Sequence, residues 1–398
     1  MNIETIGRQR FVLAVLIIAF ALRLAWGIYL DPHQLYFPDS QQWSRIALNL
    51  LSGNGLIIDE GAKALRPPVY SLFLSFIYFV FGKENLLAVR IIQALISSCT
   101  CLIVYLLAKR IFNATTAKIS MAACAIYPFF IYYSGAVLTE TLFIFILSLI
   151  MLFLSGKRFM WAGILFGLGI LCRPELIVFF FFALAGMFIV LRKKAALKRA
   201  LIMTAITGAI LFPWMLRNYL VLHACVPLTT MSGYTFYEGN SPRNQTGGPA
   251  GPLLFPDTQG MSEIEKDRFL KQEAIRAIRE NPRRMTGLLW SKFKRLWNIK
   301  LNTDNPAYAS RLTVLASMIS FTPVLILFII GLVVSWKRRR ELVYLYLLIL
   351  HTTAINLVFV SSLRYRLPLE PFMIIVASYA LVVVSQRIGA QRTRANTP

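Results

Sequence analysis

Two carboxylates and four arginines carry most of the chemical possibility in this 398-residue chain. Asp39 sits in Phe37-Pro38-Asp39-Ser40, and Glu140 closes Leu138-Thr139-Glu140. Arg66 precedes Pro67-Pro68, Arg173 precedes Pro174, and Arg364 and Arg366 lie in Arg364-Tyr365-Arg366-Leu367-Pro368. A carboxylate set against a hydroxyl serves as a general base. A guanidinium fork grips phosphate in two places, and a neighbouring proline stiffens the backbone that presents it. Such residues suit a substrate that carries a phosphate and a group to be activated.

Each has a plainer reading. Asp39 and Ser40 stand where a helix N-cap belongs, and local sequence alone leaves cap and base evenly matched. Glu140 alone is a solvated helix end, and any single arginine is a side chain reaching for lipid headgroups. Convergence on one face is what favours chemistry. The chain has no Walker loop or GxGxxG fingerprint, its three histidines lie far apart, and its five cysteines show no CxxC spacing.

The elements that must position these residues are membrane helices. Hydrophobic residues make up 57% of the chain and the mean hydropathy is +0.62. That level places it among polytopic membrane proteins. The net charge of +24 follows from basic clusters between apolar runs, so no nucleic-acid partner is expected. The apolar run at 11–30 is too long for a cleaved signal and reads as a retained span.

Further spans are expected at 86–108, 115–134, 137–155, 159–172, 175–191, 200–221, 311–335, 341–360 and 371–386. The apolar stretch 67–81 has about fifteen residues, short of the roughly twenty that a straight crossing needs. If it does not cross, Lys109/Arg110/Lys118, Lys157/Arg158, Arg192–Lys194 with Lys198/Arg199, Lys337–Arg340 and Arg387/Arg392/Arg394 all fall inside. Asp39, Glu140 and the candidate arginines then fall outside. The expectation is therefore about ten spans with both termini cytoplasmic, and 67–81 as an interfacial or re-entrant helix.

Three segments organise this bundle: a transmembrane module over 1–221 with a first outer loop at 31–85, an extracytoplasmic segment at 222–310, and terminal transmembrane helices at 311–398. In the first loop, Trp43, Ile46, Ala47, Leu50 and Leu51 recur at helical spacing and Gly53 supplies a stop. This predicts an amphipathic helix along the bilayer surface. In the second segment, the stretch from Gly233 to Pro252 reads as irregular, followed by a helix from Ser262 with a capping box to Glu265 and another capped by Asn281-Pro282. That last helix sets Leu289, Trp290, Phe293, Leu296 and Trp297 against Arg283, Arg284, Lys292, Lys294 and Arg295. Such a pattern suits either an anionic membrane face or the protein's own surface.

Phe37-Pro38-Asp39-Ser40, Arg66-Pro67-Pro68-Val69-Tyr70, Leu138-Thr139-Glu140, Leu171-Cys172-Arg173-Pro174, Tyr237-Glu238-Gly239-Asn240 and Arg364-Tyr365-Arg366-Leu367-Pro368-Leu369-Glu370-Pro371 occur in this order. The ordered set resembles the C-fold (GT-C) membrane glycosyltransferases of the protein O-mannosyltransferase and aminoarabinose-transferase type, glycosyltransferase family 39. The resemblance implies a GT-C-like all-α bundle in the cytoplasmic membrane that takes a polyprenyl-phosphate-linked sugar donor. The acceptor would be a glycan, lipid or protein. It also implies Asp39 as base, Glu140 as an assisting acid that orients the acceptor or a divalent cation, and Arg66 on the carrier phosphate. Arg173, Arg364 and Arg366 are candidates for that same phosphate, and Tyr237 and Asn240 for acceptor or loop contacts. A transporter or flippase of a lipid-linked sugar is the alternative, and would require charges such as Arg23, Arg90 and Arg217 to line a path.

Overall fold

The computed structural model describes residues 3–58, 61–249, 255–300 and 311–395; side chains are described for 7–58, 61–249, 255–300 and 311–388. Arg392 and Arg394, expected in the last basic cluster, lie outside the described side chains. Among the described residues there is no strand. The helices in chain order are α1 (Ile3–Tyr29), α2 (Pro38–Leu51), α3 (Pro68–Phe81), α4 (Leu86–Ile111), α5 (Ala114–Ile126), α6 (Pro128–Gly135), α7 (Glu140–Ser155) and α8 (Phe159–Ile170). They continue with α9 (Leu176–Val190), α10 (Lys193–Leu222), α11 (Ser232–Asn240), α12 (Glu263–Glu280), α13 (Pro282–Leu296), α14 (Arg311–Val334), α15 (Val343–Val358) and α16 (Glu370–Ala395).

Among the described residues five helices, α1, α4, α10, α14 and α16, are long and apolar enough to cross a bilayer. The expected straight span at 115–134 is instead the pair α5 and α6, bent by 48°. The cause is Pro128, which cannot donate to Cys124 and breaks the ladder there. The expected crossings at 137–155, 159–172, 175–191 and 341–360 correspond to α7, α8, α9 and α15, of 16, 12, 15 and 16 residues. At 1.5 Å per residue α8 reaches only about 18 Å, short of a 30 Å hydrocarbon core. These shorter helices are packed among the long ones. Gly163 and Gly167, four apart on α8, let α10 approach so closely that a Cβ at Gly167 would lie 2.7 Å from Ile210. Small residues at this spacing serve helix contacts in membranes. Leu13, Ile17, Leu312, Ile319 and Val333 on α1 and α14 stay exposed, as lipid-facing side chains do.

The first loop folds as its periodicity implies. Trp43 and Ala47 of α2 pack against Tyr70, Leu74, Ile77 and Tyr78 of α3, and Gly53 follows the helix at φ +82°. The other flank of α3 exposes Leu72, Phe76, Phe79 and Phe81. A 14-residue helix with one face on protein and one bare apolar face fits an interfacial position.

The structure corrects two readings of the 222–310 segment. Ser232–Asn240, expected as irregular, is helical. Asp267 of α12 accepts from the backbone of Gly233 at 2.5 Å and from Ser232, supplying the missing N-terminal partners. Tyr234 and Tyr237 bury against Phe255 and Leu270, so tertiary contacts override the turn-forming composition. Lys292, expected on the polar flank of α13, is fully buried. The capping box at Ser262 and Glu265 and the Asn281 cap form as read. Leu288 and Leu296 of α13 are buried, so the helix packs on the protein's own surface, while Trp290 stays exposed.

A recurring device holds this bundle together. The last carbonyls of a helix lack intrahelical donors, and in an apolar setting each unpaired one is costly. Cationic side chains from other helices fill that role. Arg23 donates to Cys124 O at 3.1 Å and Ala125 O at 2.8 Å, the carbonyls stranded by Pro128. Arg90 reaches Leu30 O at 3.0 Å just past the end of α1, and Arg110 adds a bond at 3.1 Å to Leu152 O near the end of α7, a carbonyl that also accepts from Gly156 N. Arg338 donates to Ile111 O at the end of α4, and Lys292 to Leu357 O at 3.0 Å in α15. Arg366 takes Leu296 O and Asn298 O, both at 2.9 Å. Arg217 serves a loop instead of a helix end, holding Lys63 O at 2.5 Å and Leu56 O at 3.1 Å. Arg23, Arg90 and Arg217 are thus committed to backbone and do not line a path for charge.

Candidate active site

Asp39 is not the cap of its helix. The N-cap of α2 is Phe37, Pro38 takes the first helical position, and no side chain caps the helix. The Asp39 carboxylate instead points away from its own backbone to two arginines from distant parts of the chain. Arg66 Nη2 donates to Oδ1 at 2.6 Å, and Arg364 Nη1 donates to Oδ2 at 2.9 Å. Burial alone would raise its pKa; the two guanidiniums outweigh that and hold it down at about 2.

Arg364 is the hinge of the cluster. Its Nη1 is on Asp39 and its Nε donates to Oε1 of Glu140, which is wholly buried at the first position of α7. Arg173 Nη1 approaches the same Glu140 oxygen at 3.4 Å, while its Nε binds Glu175 at 2.6 Å. Phe143 and Tyr365 flank the Arg173 guanidinium with ring centroids 5.2 and 5.5 Å away. Glu140 Oε2 is buried and has no hydrogen-bond partner. Three carboxylates (Asp39, Glu140, Glu175) therefore face three guanidiniums (Arg66, Arg173, Arg364), and the cluster is balanced in charge.

The loop that presents Arg66 is fastened from below. Glu263, at the start of α12, accepts from Lys63 N at 3.0 Å and Ala64 N at 3.2 Å. Thr230 N donates to Ala64 O at 3.0 Å and Thr229 Oγ1 to Leu65 O at 2.5 Å. Val69 N donates to Leu171 O at 3.1 Å, which ties the Arg66 turn to the turn carrying Arg173. Gln42, one helical turn after Asp39, accepts from Arg66 Nε at 3.0 Å and Nη2 at 2.8 Å. Trp43 lies under the Arg66 guanidinium at 5.3 Å. Arg364 stands on a 3-10 turn at Leu363–Tyr365, and its own N–H donates to the Ser362 hydroxyl at 3.3 Å.

Of the residues singled out from sequence, Asp39, Glu140, Arg66, Arg173 and Arg364 come together. Arg366 does not join them. Its guanidinium is fully buried, paired with Glu370 at 2.8 Å, seated 3.4 Å from the Phe321 ring centroid and committed to two carbonyls. It holds the end of α13. Tyr237 and Asn240 also serve the scaffold: Tyr237 packs in the core between α11 and α12, and Asn240 bridges Phe236 O, Val358 O and the Lys292 ammonium. Burial and nearby Arg284 bring the pKa of Lys292 down to about 7, against three oxygen acceptors that favour the charged form.

Sequence reasoning passed over Gln42, Glu175 and Glu263. Gln42 was open to discovery, since it lies three residues past Asp39 on the same helical face. Glu263 was not, because its partners are 199 and 200 residues away. As for a divalent cation, no three His, Cys, Asp or Glu side chains gather among the described residues. Arg364 stands between Asp39 and Glu140, the two acids that would have to share such an ion, so this donor set does not fit one.

The fold is that of the C-type membrane glycosyltransferases. The archaeal oligosaccharyltransferase AglB from Archaeoglobus fulgidus, solved with an inhibitory peptide and a dolichol-phosphate, superposes with a TM-score of 0.56 at 16% identity, over 98% of this chain and 52% of that one. The apo form of the Archaeoglobus fulgidus enzyme matches with the same TM-score at 15% identity, covering 97% and 52%. Residues 65–216 match the family described as dolichyl-phosphate-mannose-protein mannosyltransferase. Undecaprenyl phosphate-alpha-4-amino-4-deoxy-L-arabinose arabinosyl transferase 2 of Pseudomonas fluorescens is 30% identical over 125 residues, 31% of this chain and 21% of that protein. The chain thus spans about half of the structural relative and a fifth of the curated one. The resemblance read from the ordered motifs is borne out, as is the all-α membrane architecture.

Proposed function

We propose that this protein transfers a sugar from a polyprenyl-phosphate carrier to an acceptor hydroxyl at the outer face of the cytoplasmic membrane. The observation that carries the reading is the joining of Asp39, Arg66, Arg364 and Glu140 at one end of a C-type bundle. Asp39 is the base: it takes the acceptor's proton while the acceptor oxygen bonds to the anomeric carbon. The bond from that carbon to the phosphate oxygen breaks, and its electron pair leaves with the polyprenyl phosphate. Attack opposite the leaving group inverts the anomeric centre. Arg66 and Arg364 meet the charge that develops on the phosphate, with Arg173 behind them. Glu140 fixes Arg364. The glycan, lipid or protein acceptor enters on the exposed side of Asp39, whose side chain is 32% accessible.

In this reading the chain makes ten crossings, with α2 and α3 lying on the outer surface and both termini cytoplasmic. Support comes from basic residues in the last turn of α4 and in the turns after α7, α9 and α14, Arg110, Arg158, Arg192 and Arg338, which belong to the end of the bundle opposite the site. Residues 1–221 then form the catalytic module, 222–310 the extracytoplasmic brace under Arg66, and 311–398 the helices that bring in Arg364. A transporter finds no support, since the mid-bundle arginines are bound to backbone carbonyls.

The test compares cell-envelope glycans and lipids by mass spectrometry in cells with the protein, without it, and with Asp39→Asn. A glycoform present only with the wild-type protein is expected. Unchanged profiles without the protein, or a normal profile with the Asn variant, would refute the reading.

A further inference from the structure

Every guanidinium in the cluster already faces a carboxylate, and both oxygens of Asp39 are taken by the two arginines best placed for the carrier's phosphate. A phosphate cannot gain Arg66 and Arg364 while ionised Asp39 keeps them. Taking the acceptor's proton neutralises Asp39 in the same event that adds a negative charge to the departing phosphate. A phosphodiester donor with carboxylate becomes a phosphomonoester with carboxylic acid, so the charge facing the arginines is unchanged. Resting on the function proposed above, we infer that Asp39 is the resting occupant of the phosphate site, and that Arg66 and Arg364 are handed from Asp39 to the leaving phosphate as Asp39 accepts the proton.

The surrounding geometry allows this exchange. Arg66 is anchored to Gln42 Oε1 through Nε at 3.0 Å and Nη2 at 2.8 Å and lies over Trp43, so its planar guanidinium stays in place when Asp39 withdraws. Arg364 remains anchored through Nε to buried Glu140, which keeps Nη1 aimed at the place that Asp39 would vacate. Asp39, on the accessible side of α2, is the partner able to withdraw, whereas Glu140 is enclosed. Two duties follow for Asp39. It is the base, and as an ion it keeps the phosphate product from lingering after transfer.

The consequence is opposite to that of an ordinary binding residue. Asp39→Asn mimics the protonated state, so the variant binds the product more tightly than the wild type while failing to transfer. The experiment titrates purified full-length protein in detergent with a polyprenyl monophosphate, alongside Asp39→Asn, Asp39→Ser and Asp31→Asn. Asp31 is an exposed acid preceding the same helix and controls for a general change of charge. Affinity is expected to rise at least about tenfold for Asp39→Asn and Asp39→Ser, the gain from freeing charged hydrogen bonds, and to stay within about twofold for Asp31→Asn. Equal or weaker binding in both Asp39 variants, or an equal gain in Asp31→Asn, overturns the exchange. Absence of binding in wild type and variants alike overturns the functional reading, and the exchange with it.

Discussion

Removing Arg364 tests the cluster most directly, because the structure assigns it to two acids of different exposure. Glu140 is 0% exposed, and without Arg364 its one remaining cation is Arg173 Nη1 at 3.4 Å. Breaking a buried pair from one side costs about 3–5 kcal/mol, since a charge is left without compensation. Asp39 is 32% exposed and keeps Arg66 at 2.6 Å, so its share of that loss is small. Arg364→Ala is therefore expected to lose about 3–5 kcal/mol, nearly all of it through Glu140. Glu140→Gln removes the stranded charge, so adding it to Arg364→Ala should restore about 2–3 kcal/mol. The assay is equilibrium unfolding in mixed micelles for the wild type, both single variants and the double variant. Additivity within about 0.5 kcal/mol would show that the two residues are not coupled and would sink the reasoning.

Further outcomes follow from the same geometry. Arg66→Ala is expected to lower kcat with a polyprenyl-phosphate sugar about ten- to hundredfold, the worth of one charged hydrogen bond gained as the phosphate leaves, and an unchanged kcat would assign Arg66 to another task. Cys225, exposed just after α10, should react with an impermeant thiol reagent added from outside, and so should Lys83→Cys in a Cys225→Ser background; labelling only after permeabilisation would invert the topology. Arg23→Leu strands Cys124 O and Ala125 O and should cost at least about 2 kcal/mol in the same unfolding assay, where wild-type stability would refute its capping role. The pKa of Asp39, about 2 when folded, lies below the unfolded value near 3.9, so its ion pairs stabilise fully above about pH 4 and fade as pH falls through about 2. Wild type and Asp39→Asn should then differ in stability by a constant amount from pH 5 to 8, and a difference that changes within that window would count against the pairing.

Much of the architecture was legible because membrane helices are written locally. A run of twenty apolar residues must satisfy its backbone within itself, so α1, α4, α10, α14 and α16 could be placed from composition alone. The amphipathic α2, the capping box at Ser262 and the cap at Asn281 are equally local, each a matter of spacing within one or two turns. The choice of Asp39, Glu140, Arg66, Arg173 and Arg364 was also available, because charged residues at the ends of apolar runs are conspicuous, and Asp39, Arg66 and Arg173 each adjoin a proline as well.

What those residues do to one another was decided only in three dimensions. Arg364 and Arg366 stand two residues apart in one motif, yet one bridges the acids of the site and the other is sealed beneath the end of α13. The 3-10 turn between them sends the two side chains in different directions, and no spacing rule reveals which carbonyls wait there. Lys292 reads as surface charge until the end of α15 is seen to need its ammonium. Ser232–Asn240 has the composition of a loop, and is helical where Asp267 accepts from the Gly233 N–H and the Ser232 hydroxyl at its start and its tyrosines pack on Phe255 and Leu270. The cap reading of Asp39 was equally sound by sequence. It failed because two arginines, 27 and 325 residues distant, offer its carboxylate more than its own backbone does. Backbone satisfaction over one or two turns is a local quantity, which the sequence by itself determines; the pairing of buried charges is a sum over the whole fold, which only the tertiary structure evaluates.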